Sequence, residues 1–190
     1  MISSSITRRR PSTNQWAVLV LIVTAQFMVV LDMSIVNIAL ASIKSSLDFS
    51  QASLQWVITA YAITFGGFLL LGGRLADVLG RRRVFLTGIA VFTIGSALSG
   101  LAWSAASLVV FRALQGAGGA LFAPAGLSLL MTAYREGRER NLALGIWAAA
   151  SGSGAAVGVL LGGVLTSYLS WPWVFYINLP VGLALVAVVP

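Results

Sequence analysis

The sequence of 190 residues contains no cysteine and no histidine, and only five of its residues are acidic. Without cysteine, the chain has no disulfide framework, no thiolate nucleophile and no cysteine-ligated metal site. Without histidine, it lacks the commonest transition-metal ligand and the side chain that ordinarily titrates near neutral pH. Any proton handling therefore falls to the five acids, and we expect neither a metal nor a cofactor.

Charge of either sign is scarce. Only 9% of the residues are charged and 58% are hydrophobic, whereas a soluble domain is about 25% charged and about 45–50% apolar. The net charge of +7 does not indicate nucleic-acid binding, because the basic residues form short clusters between apolar runs rather than one surface stripe. The phosphate-binding motif G-x-x-x-x-G-K-[ST] is absent. We therefore expect neither an ATP-driven protein nor an enzyme.

Six apolar runs are long enough for transmembrane helices, which need about 20 mostly apolar residues. They cover residues 16–43, 53–73, 84–103, 106–131, 142–168 and 173–190. The first run is too long for the core of a secretory signal and has no small-residue cleavage site ahead of a soluble domain. We predict an all-α integral membrane protein in which residues 1–15 form a basic N-terminus and residues 16–190 form a six-helix transmembrane domain.

The basic residues between these runs are unevenly distributed. Ten fall on the side that holds the N-terminus, whereas the opposite loops contain Lys44 alone; the ten are Arg8, Arg9, Arg10, Arg74, Arg81, Arg82, Arg83, Arg135, Arg138 and Arg140. Cytoplasmic loops of membrane proteins carry an excess of lysine and arginine. The distribution predicts a multi-pass protein of the cell inner membrane with a cytoplasmic N-terminus.

Two ionisable side chains lie inside predicted spans, Asp32 in the first and Arg112 in the fourth. A charge at this depth costs about 2.5–3.5 kcal/mol on insertion scales and usually marks function. With a rise of 1.5 Å per residue, both lie roughly 10 Å below the outer surface, so we expect Arg112 to face Asp32 directly, or through Gln115 or water. Burial disfavours an ionised carboxylate, which would let Asp32 exchange a proton. The alternative is a structural carboxylate permanently bonded to Asn37 or a neighbouring helix.

The segment GGRLADVLGRRR joins the second and third spans. We expect a short loop in which Gly73 and Gly80 permit tight turns. Asp77 would accept hydrogen bonds from Arg81 or from a helix N-terminus, where the helix dipole favours an anion. A charge cluster that only sets topology is the alternative, and it accounts for the arginines but not for Asp77 or the glycines.

Small residues and prolines mark the later spans. Gly154, Gly158 and Gly162 recur every fourth residue, which lays a smooth stripe along the fifth helix and permits close helix contact. Static packing and a role in gating both remain open. Pro124 and Pro180 are expected to interrupt and kink their helices.

Five segments resemble signatures of the major facilitator superfamily, particularly its fourteen-span drug:proton antiporter branch. The segments are LDMSIVNIAL, GGRLADVLGRRR, LVVFRALQGAGGA, GAAVGVLLGG and WPWVFYINLPVG. The matching residues are Asp32, Val36, Asn37, Ala39 and Leu40; Gly73, Leu75, Asp77, Gly80, Arg81 and Arg82; Leu108, Arg112, Gln115, Gly116 and Gly118; and Gly154, Gly158, Gly162 and Gly163. Two positions depart from the family pattern: Val78, where a basic residue is common, and Val159, where the antiporter motif has proline.

The resemblance implies the N-terminal six-helix half of a major facilitator fold, built from two inverted three-helix repeats. In such proteins substrate binds at the midplane between two halves, so a C-terminal half would be missing from this sequence. The last run stops at Pro190 without a basic flank, which also favours a fragment. The alternative is that six helices are the whole protein.

The resemblance also implies roles for particular residues. Asp32 would serve proton coupling and Arg112 proton transfer, Asp77 with Arg81 would form a conformational charge latch, and the glycine stripe would close the cavity. The implied function is proton-coupled efflux of drugs, antibiotics or other small lipophilic molecules by alternating access, with protons and the lipid bilayer as partners. Proton-coupled uptake or metabolite exchange, and a non-transporting membrane fragment, are the alternatives.

Overall fold

The computed structural model describes residues 13–188, and all the regular structure in that range is helical. The helices are α1 (Thr13–Ser46), α2 (Gln51–Leu54), α3 (Trp56–Leu79), α4 (Arg81–Gly100), α5 (Ala105–Ala133), α6 (Arg138–Tyr168), α7 (Trp173–Tyr176) and α8 (Asn178–Val188). The basic residues Arg8, Arg9 and Arg10 lie outside the described residues. The expected all-α fold class is confirmed.

Five of the predicted spans form helices long and apolar enough to cross a membrane within the described range. They are Gln15–Ser46, Gln51–Leu79, Arg81–Gly100, Ala105–Ala133 and Arg138–Tyr168. The second of these spans comprises α2 and α3. The sixth run, Trp173–Val188, is shorter and is divided at Ile177 into α7 and α8. Pro180 explains this division, because it has no N–H for the carbonyl of Tyr176 and its ring crowds that carbonyl.

Pro124 does not interrupt its helix as expected. Helix α5 runs without interruption through Pro124. The carbonyl of Ala120, which loses its helical donor to Pro124, lies against Gly72 of α3, where a Cβ atom would have no room. The backbones of α3 and α5 therefore approach closely beside the proline, and the expected interruption is absent.

The connection between α3 and α4 is shorter than predicted. Gly80 alone separates the two helices, and its φ of 95° lies in the left-handed region that favours glycine. Gly73 was expected to turn the chain, but it lies inside α3. That expectation is wrong because the helix continues to Leu79, so Gly80 is the residue that turns the chain.

The helices pack in two related groups. Helix α1 packs mainly against α6, whereas α5 packs against both α3 and α4, and α8 packs against α4 and α1. In span order, the pairing of the first with the fifth span mirrors the pairing of the fourth with the second. This is the relation that two inverted three-helix repeats produce.

The start of α1 lies beside the end of α5. The side chain of Gln15 donates to the carbonyl of Ala133 at 2.9 Å, and the hydroxyl of Tyr134 donates to the carbonyl of Gln15 at 2.9 Å. Residues 74–83 include the end of α3, and residues 135–140 follow the end of α5. The two helices pack side by side in the same direction. The described basic clusters therefore gather at one end of the bundle, as the charge pattern predicts.

The buried apolar side chains form two clusters that meet on α1. One contains Ile22 and Met28 of α1, and the other contains Leu31 and Ile35. Asp32 lies where they meet, so its carboxylate is surrounded by packed helices.

Candidate functional site

Asp32 and Arg112 are in direct contact. The guanidinium Nη1 of Arg112 lies 2.7 Å from Oδ2 of Asp32, and the two side chains are 1% and 0% exposed. The expected contact between the first and fourth spans is therefore present. At this degree of burial the attraction between the charges is much stronger than in water.

The other carboxylate oxygen of Asp32 accepts two further hydrogen bonds. Gln115 Nε2 donates to Oδ1 at 2.8 Å, and Asn178 Nδ2 donates to the same atom at 2.9 Å. Gln115 also accepts a hydrogen bond from Nη1 of Arg112 at 2.6 Å, so it bridges the pair in addition to the direct contact. The three side chains around Asp32 all donate to it, which is the arrangement that an ionised carboxylate requires.

Asn37 is not a partner of Asp32. Its Nδ2 donates to the carbonyl of Met33 at 2.6 Å, and the side chain is exposed. The proposed bond between Asn37 and Asp32 is wrong, because residues five apart on a helix project in different directions.

The guanidinium of Arg112 is held by α3 as well. Its Nε donates to the carbonyl of Val57 at 3.1 Å. Its Cζ lies 4.3 Å from the centre of the Tyr61 ring and 5.8 Å from that of Phe175. Cations are attracted to aromatic faces at these distances. Arg112 is therefore fixed by a carboxylate, two oxygen acceptors and two rings.

Local sequence explains how α5 presents this side chain. Ser104 and Ser107 form a capping box that fixes the start of α5, which places Arg112 about two turns into the helix. A Cβ on Gly116 would collide with the carbonyl of Tyr61, and a Cβ on Gly95 would lie 2.8 Å from the backbone nitrogen of Gln115. These glycines let α3 and α4 approach α5 on either side of the buried charge.

The glycine stripe of α6 faces α1 around Asp32. A Cβ on Gly154 would lie 3.0 Å from the carbonyl oxygen of Phe27, and one on Gly158 would lie 2.7 Å from Cβ of Ser34. A Cβ on Gly162 would lie 2.9 Å from Cβ of Ile38. Close helix contact is confirmed for these three positions. Gly163 is outside the contact, because a Cβ there would meet nothing within 4 Å.

The expected pairing of Asp77 with Arg81 is not present. Among the described residues, the ion pairs are Asp32 with Arg112 and Glu136 with Arg140. Asp77 and Arg82 are exposed at the end of the bundle that carries the basic clusters, and Arg81 is partly buried there. Asp77 lies in the last turn of α3 and Arg81 is the first residue of α4, so the turn at Gly80 places the two residues on different helices.

Three buried polar residues of the site were not recognised in the sequence. Tyr61 lies over Arg112, Asn178 donates to Asp32, and Ser96 accepts from Asn178 at 3.1 Å. The signal that identified Asp32, a polar side chain inside an apolar run, is equally present at Asn178. It is weaker for Ser96 and Tyr61, because serine and tyrosine are common in membrane helices.

Several known proteins are similar in sequence to this chain. The puromycin resistance protein pur8 of Streptomyces alboniger is 52% identical over 173 residues, which cover 91% of this chain and 34% of that protein. The cephamycin export protein CmcT of Amycolatopsis lactamdurans is 48% identical, over 95% of this chain and 37% of that protein. The chain thus spans about a third of the length of these curated relatives.

Solved structures share the fold. A peptide transporter POT matches with a TM-score of 0.78 at 18% identity over 93% of this chain and 37% of that chain. A bacterial homologue of the human lysosomal transporter Spinster matches with a TM-score of 0.77 at 19% identity, over 94% and 42%. The family model described as Major Facilitator Superfamily matches residues 22–190, and with the helical pairing and these relatives it shows that the chain belongs to that superfamily.

Proposed function

We propose that the chain is the N-terminal half of a proton-coupled exporter of antibiotics or other small lipophilic molecules. The observation that carries the proposal is the fully buried pair of Asp32 and Arg112, held between membrane-spanning helices. A buried ion pair is costly to desolvate, and ionisable residues inside membrane segments usually serve transport. The names of the relatives, a resistance protein and an export protein, support the direction of transport.

Protonation of Asp32 would drive the conformational change. A proton on the carboxylate removes the negative charge that balances Arg112 at 2.7 Å. A packing of helices that was stable with the pair intact then contains an unbalanced cation, so another arrangement becomes more stable. A proton shifts such an equilibrium only by binding the two states with different affinity.

A second six-helix half completes the proposed transporter, with the substrate between the halves and the N-terminus of this chain in the cytoplasm. Of the five long helices, α3 and α6 have the smallest buried share. They are the second and fifth spans, which occupy equivalent places in the two repeats. Their exposed apolar faces suit contact with lipid and with the other half.

The charges at the α3–α4 junction are proposed as a latch to the second half. Asp77 and Arg82 are exposed on the two sides of the turn at Gly80. Pairing with groups of another six-helix unit in one state, and separation in the other, would stabilise the two states unequally. Arg81 would join them as the helices shift.

Asp32→Asn tests the proposal in the complete transporter. The transporter is reconstituted in vesicles with an imposed pH gradient, and puromycin is the first probe because of the 52% identical relative. We expect Asp32→Asn to abolish gradient-driven puromycin movement and the accompanying proton flux while puromycin counterflow continues. Asp48→Asn, which neutralises an exposed acid between α1 and α2, should behave as the native protein.

The alternatives give different results. Accumulation of puromycin on the side opposite to that expected for export would favour uptake or metabolite exchange, the alternative that Val159 in place of the motif proline keeps open. Gradient-driven flux that survives Asp32→Asn would refute the role of the carboxylate. Absence of both flux and counterflow for a wide set of antibiotics would favour the non-transporting fragment.

A further inference from the structure

Asn178 links the buried carboxylate to two other helices. It is the first residue of α8, and its amide nitrogen donates to Asp32 Oδ1 at 2.9 Å and to Ser96 Oγ at 3.1 Å. The hydroxyl of Ser96 donates in turn to the carbonyl of Phe175 at 2.8 Å. All of these polar atoms are buried. A continuous set of hydrogen bonds therefore joins α1, α8, α4 and the backbone of α7.

The direction of these bonds depends on the charge of Asp32. An ionised carboxylate accepts only, whereas a protonated one must also donate its O–H. Arg112 offers no acceptor. The side-chain oxygen of Gln115 faces Arg112, from which it accepts at 2.6 Å, and only the nitrogen of Gln115 faces Asp32. The amide of Asn178 contains both a donor and an acceptor. If this amide group rotated so that its oxygen and nitrogen exchanged places, its oxygen would accept hydrogen bonds from Asp32 and from Ser96.

Such a reversal has a structural consequence at the break in the sixth span. When Ser96 donates to the oxygen of Asn178, it no longer donates to the carbonyl of Phe175. That carbonyl lies in α7, just before the division at Ile177. The loss of a buried hydrogen bond there would change how α7 and α8 pack against α4.

We propose that Asn178 is a positioning residue that stabilises the ionised carboxylate of Asp32. When Asp32 is protonated, the amide group of Asn178 rotates so that its oxygen and nitrogen exchange places, and Ser96 transmits this rearrangement to the junction of α7 and α8. The inference rests on the proposed role of Asp32 in proton coupling. It adds a residue of the sixth span to the proton-coupling group of the first and fourth spans.

Other titratable groups near Asp32 remain unchanged when Asn178 is replaced. The helices packed around the carboxylate bring Arg112 from α5 and Tyr61 from α3 to the site. Helices α4 and α8 contribute the uncharged Ser96 and Asn178, and α6 contributes glycines. A change in titration on replacing Asn178 therefore reports the lost hydrogen bond.

The experiment follows the protonation of Asp32 in the full chain in lipid nanodiscs. Infrared absorption of the protonated carboxyl group is recorded through a pH titration, and the Asp32 band is assigned by its loss in Asp32→Asn. Asn178→Leu removes the donor at similar volume. We expect the midpoint to move to higher pH by about one to two units, because a hydrogen bond to the charged form is lost.

Two further variants make the test specific. Ser96→Ala leaves Asn178 less firmly oriented. We therefore expect the midpoint of the Asp32 band to move in the same direction as in Asn178→Leu, but by less. Thr93→Val is the matched control, because the hydroxyl of Thr93 donates at 2.8 Å to the carbonyl of Ile89 in its own helix. In this variant the midpoint of the Asp32 band should equal that of the native chain. If Asn178→Leu fails to fold, Ser96→Ala decides the question by the presence or absence of its displacement.

The reversal of the amide has its own readout. The protein is labelled with ¹⁵N-asparagine, and the side-chain amide resonances of Asn178 in its NMR spectrum are assigned by their loss in Asn178→Leu. These resonances should shift with pH, with the same midpoint as the infrared band of the Asp32 carboxyl group. They should not shift with pH in Asp32→Asn. Resonances that stay constant while Asp32 titrates, or an unchanged midpoint in a folded Asn178→Leu, would overturn the inference. A native chain without a titrating Asp32 band would instead refute the proposed function.

Discussion

The identity of residue 112 as arginine follows from its contacts. Its Nε reaches the carbonyl of Val57, its Nη1 reaches Asp32 and Gln115, and its face lies on the ring of Tyr61. A planar group with donors in a fixed fork satisfies these partners at once, whereas the single ammonium group of lysine does not. Charge alone therefore does not specify the residue at this position.

A double-mutant cycle tests the coupling of the pair. We expect Arg112→Ala to lower the free energy of unfolding by about 3–5 kcal/mol, because it leaves the carboxylate of Asp32 buried without its counter-charge. The double variant Asp32→Asn with Arg112→Ala should be destabilised by less than the sum of the two single variants. Unfolding of the chain in detergent micelles measures each step. Additive losses would show that the two charges are not coupled.

At the scale of elements, glycine determines how closely helices approach. Along α6 the stripe lets α1 lie against bare backbone at Gly154, Gly158 and Gly162. This contact holds the segment of α1 that carries Asp32 in place. A rigid contact and a sliding one have the same static geometry, so both the packing role and the gating role remain as proposals.

Alanine at positions 158 and 163 separates contact from helix propensity. In Gly158→Ala the new methyl group would lie 2.9 Å from the carbonyl oxygen of Leu31 and 2.7 Å from Cβ of Ser34. We expect a loss of about 1–3 kcal/mol in unfolding free energy from this overpacking. Gly163→Ala is the control, because its methyl group meets nothing within 4 Å, and we expect a gain of about 0.5–1 kcal/mol. Equal effects in the two variants would contradict the close contact at position 158.

At the scale of the whole molecule, the two ends of the bundle differ in charge. The described basic clusters lie with the start of α1 at one end, and Lys44 lies at the other. The positive-inside rule predicts that the first end is cytoplasmic, which is the orientation proposed above.

Single cysteines test this orientation, because the native chain has none. Glu136 precedes α6 and Ser170 follows it, and both are exposed. With a membrane-impermeant maleimide on intact cells, Ser170→Cys should react and Glu136→Cys should not. Glu136→Cys should react once the membrane is opened. The reverse pattern would place the N-terminus outside, and labelling of both positions in intact cells would contradict a single crossing by α6.

The membrane class, the long spans and the two charges within them could all be predicted from the amino-acid sequence. These follow from the hydrophobicity of contiguous segments and from the desolvation cost of a charge, which are properties of residue type and neighbourhood along the chain. Similar depth in two spans was enough to predict the contact between Asp32 and Arg112. The prediction that the chain turns at Gly73 was wrong, because the position of a helix end depends on packing as well as on local residues.

The uncharged side chains that complete the site could be identified only in the folded protein. Asn178 lies 146 residues from Asp32 in the chain, and its contact depends on the rotation and depth of α8 against α1 and α4. The positions of Ser96 and Tyr61 depend in the same way on how far the glycines of α4 and α5 let the helices approach. Such rotations result from the packing of all the helices together, because each small residue sets a distance only in relation to the surface that it meets.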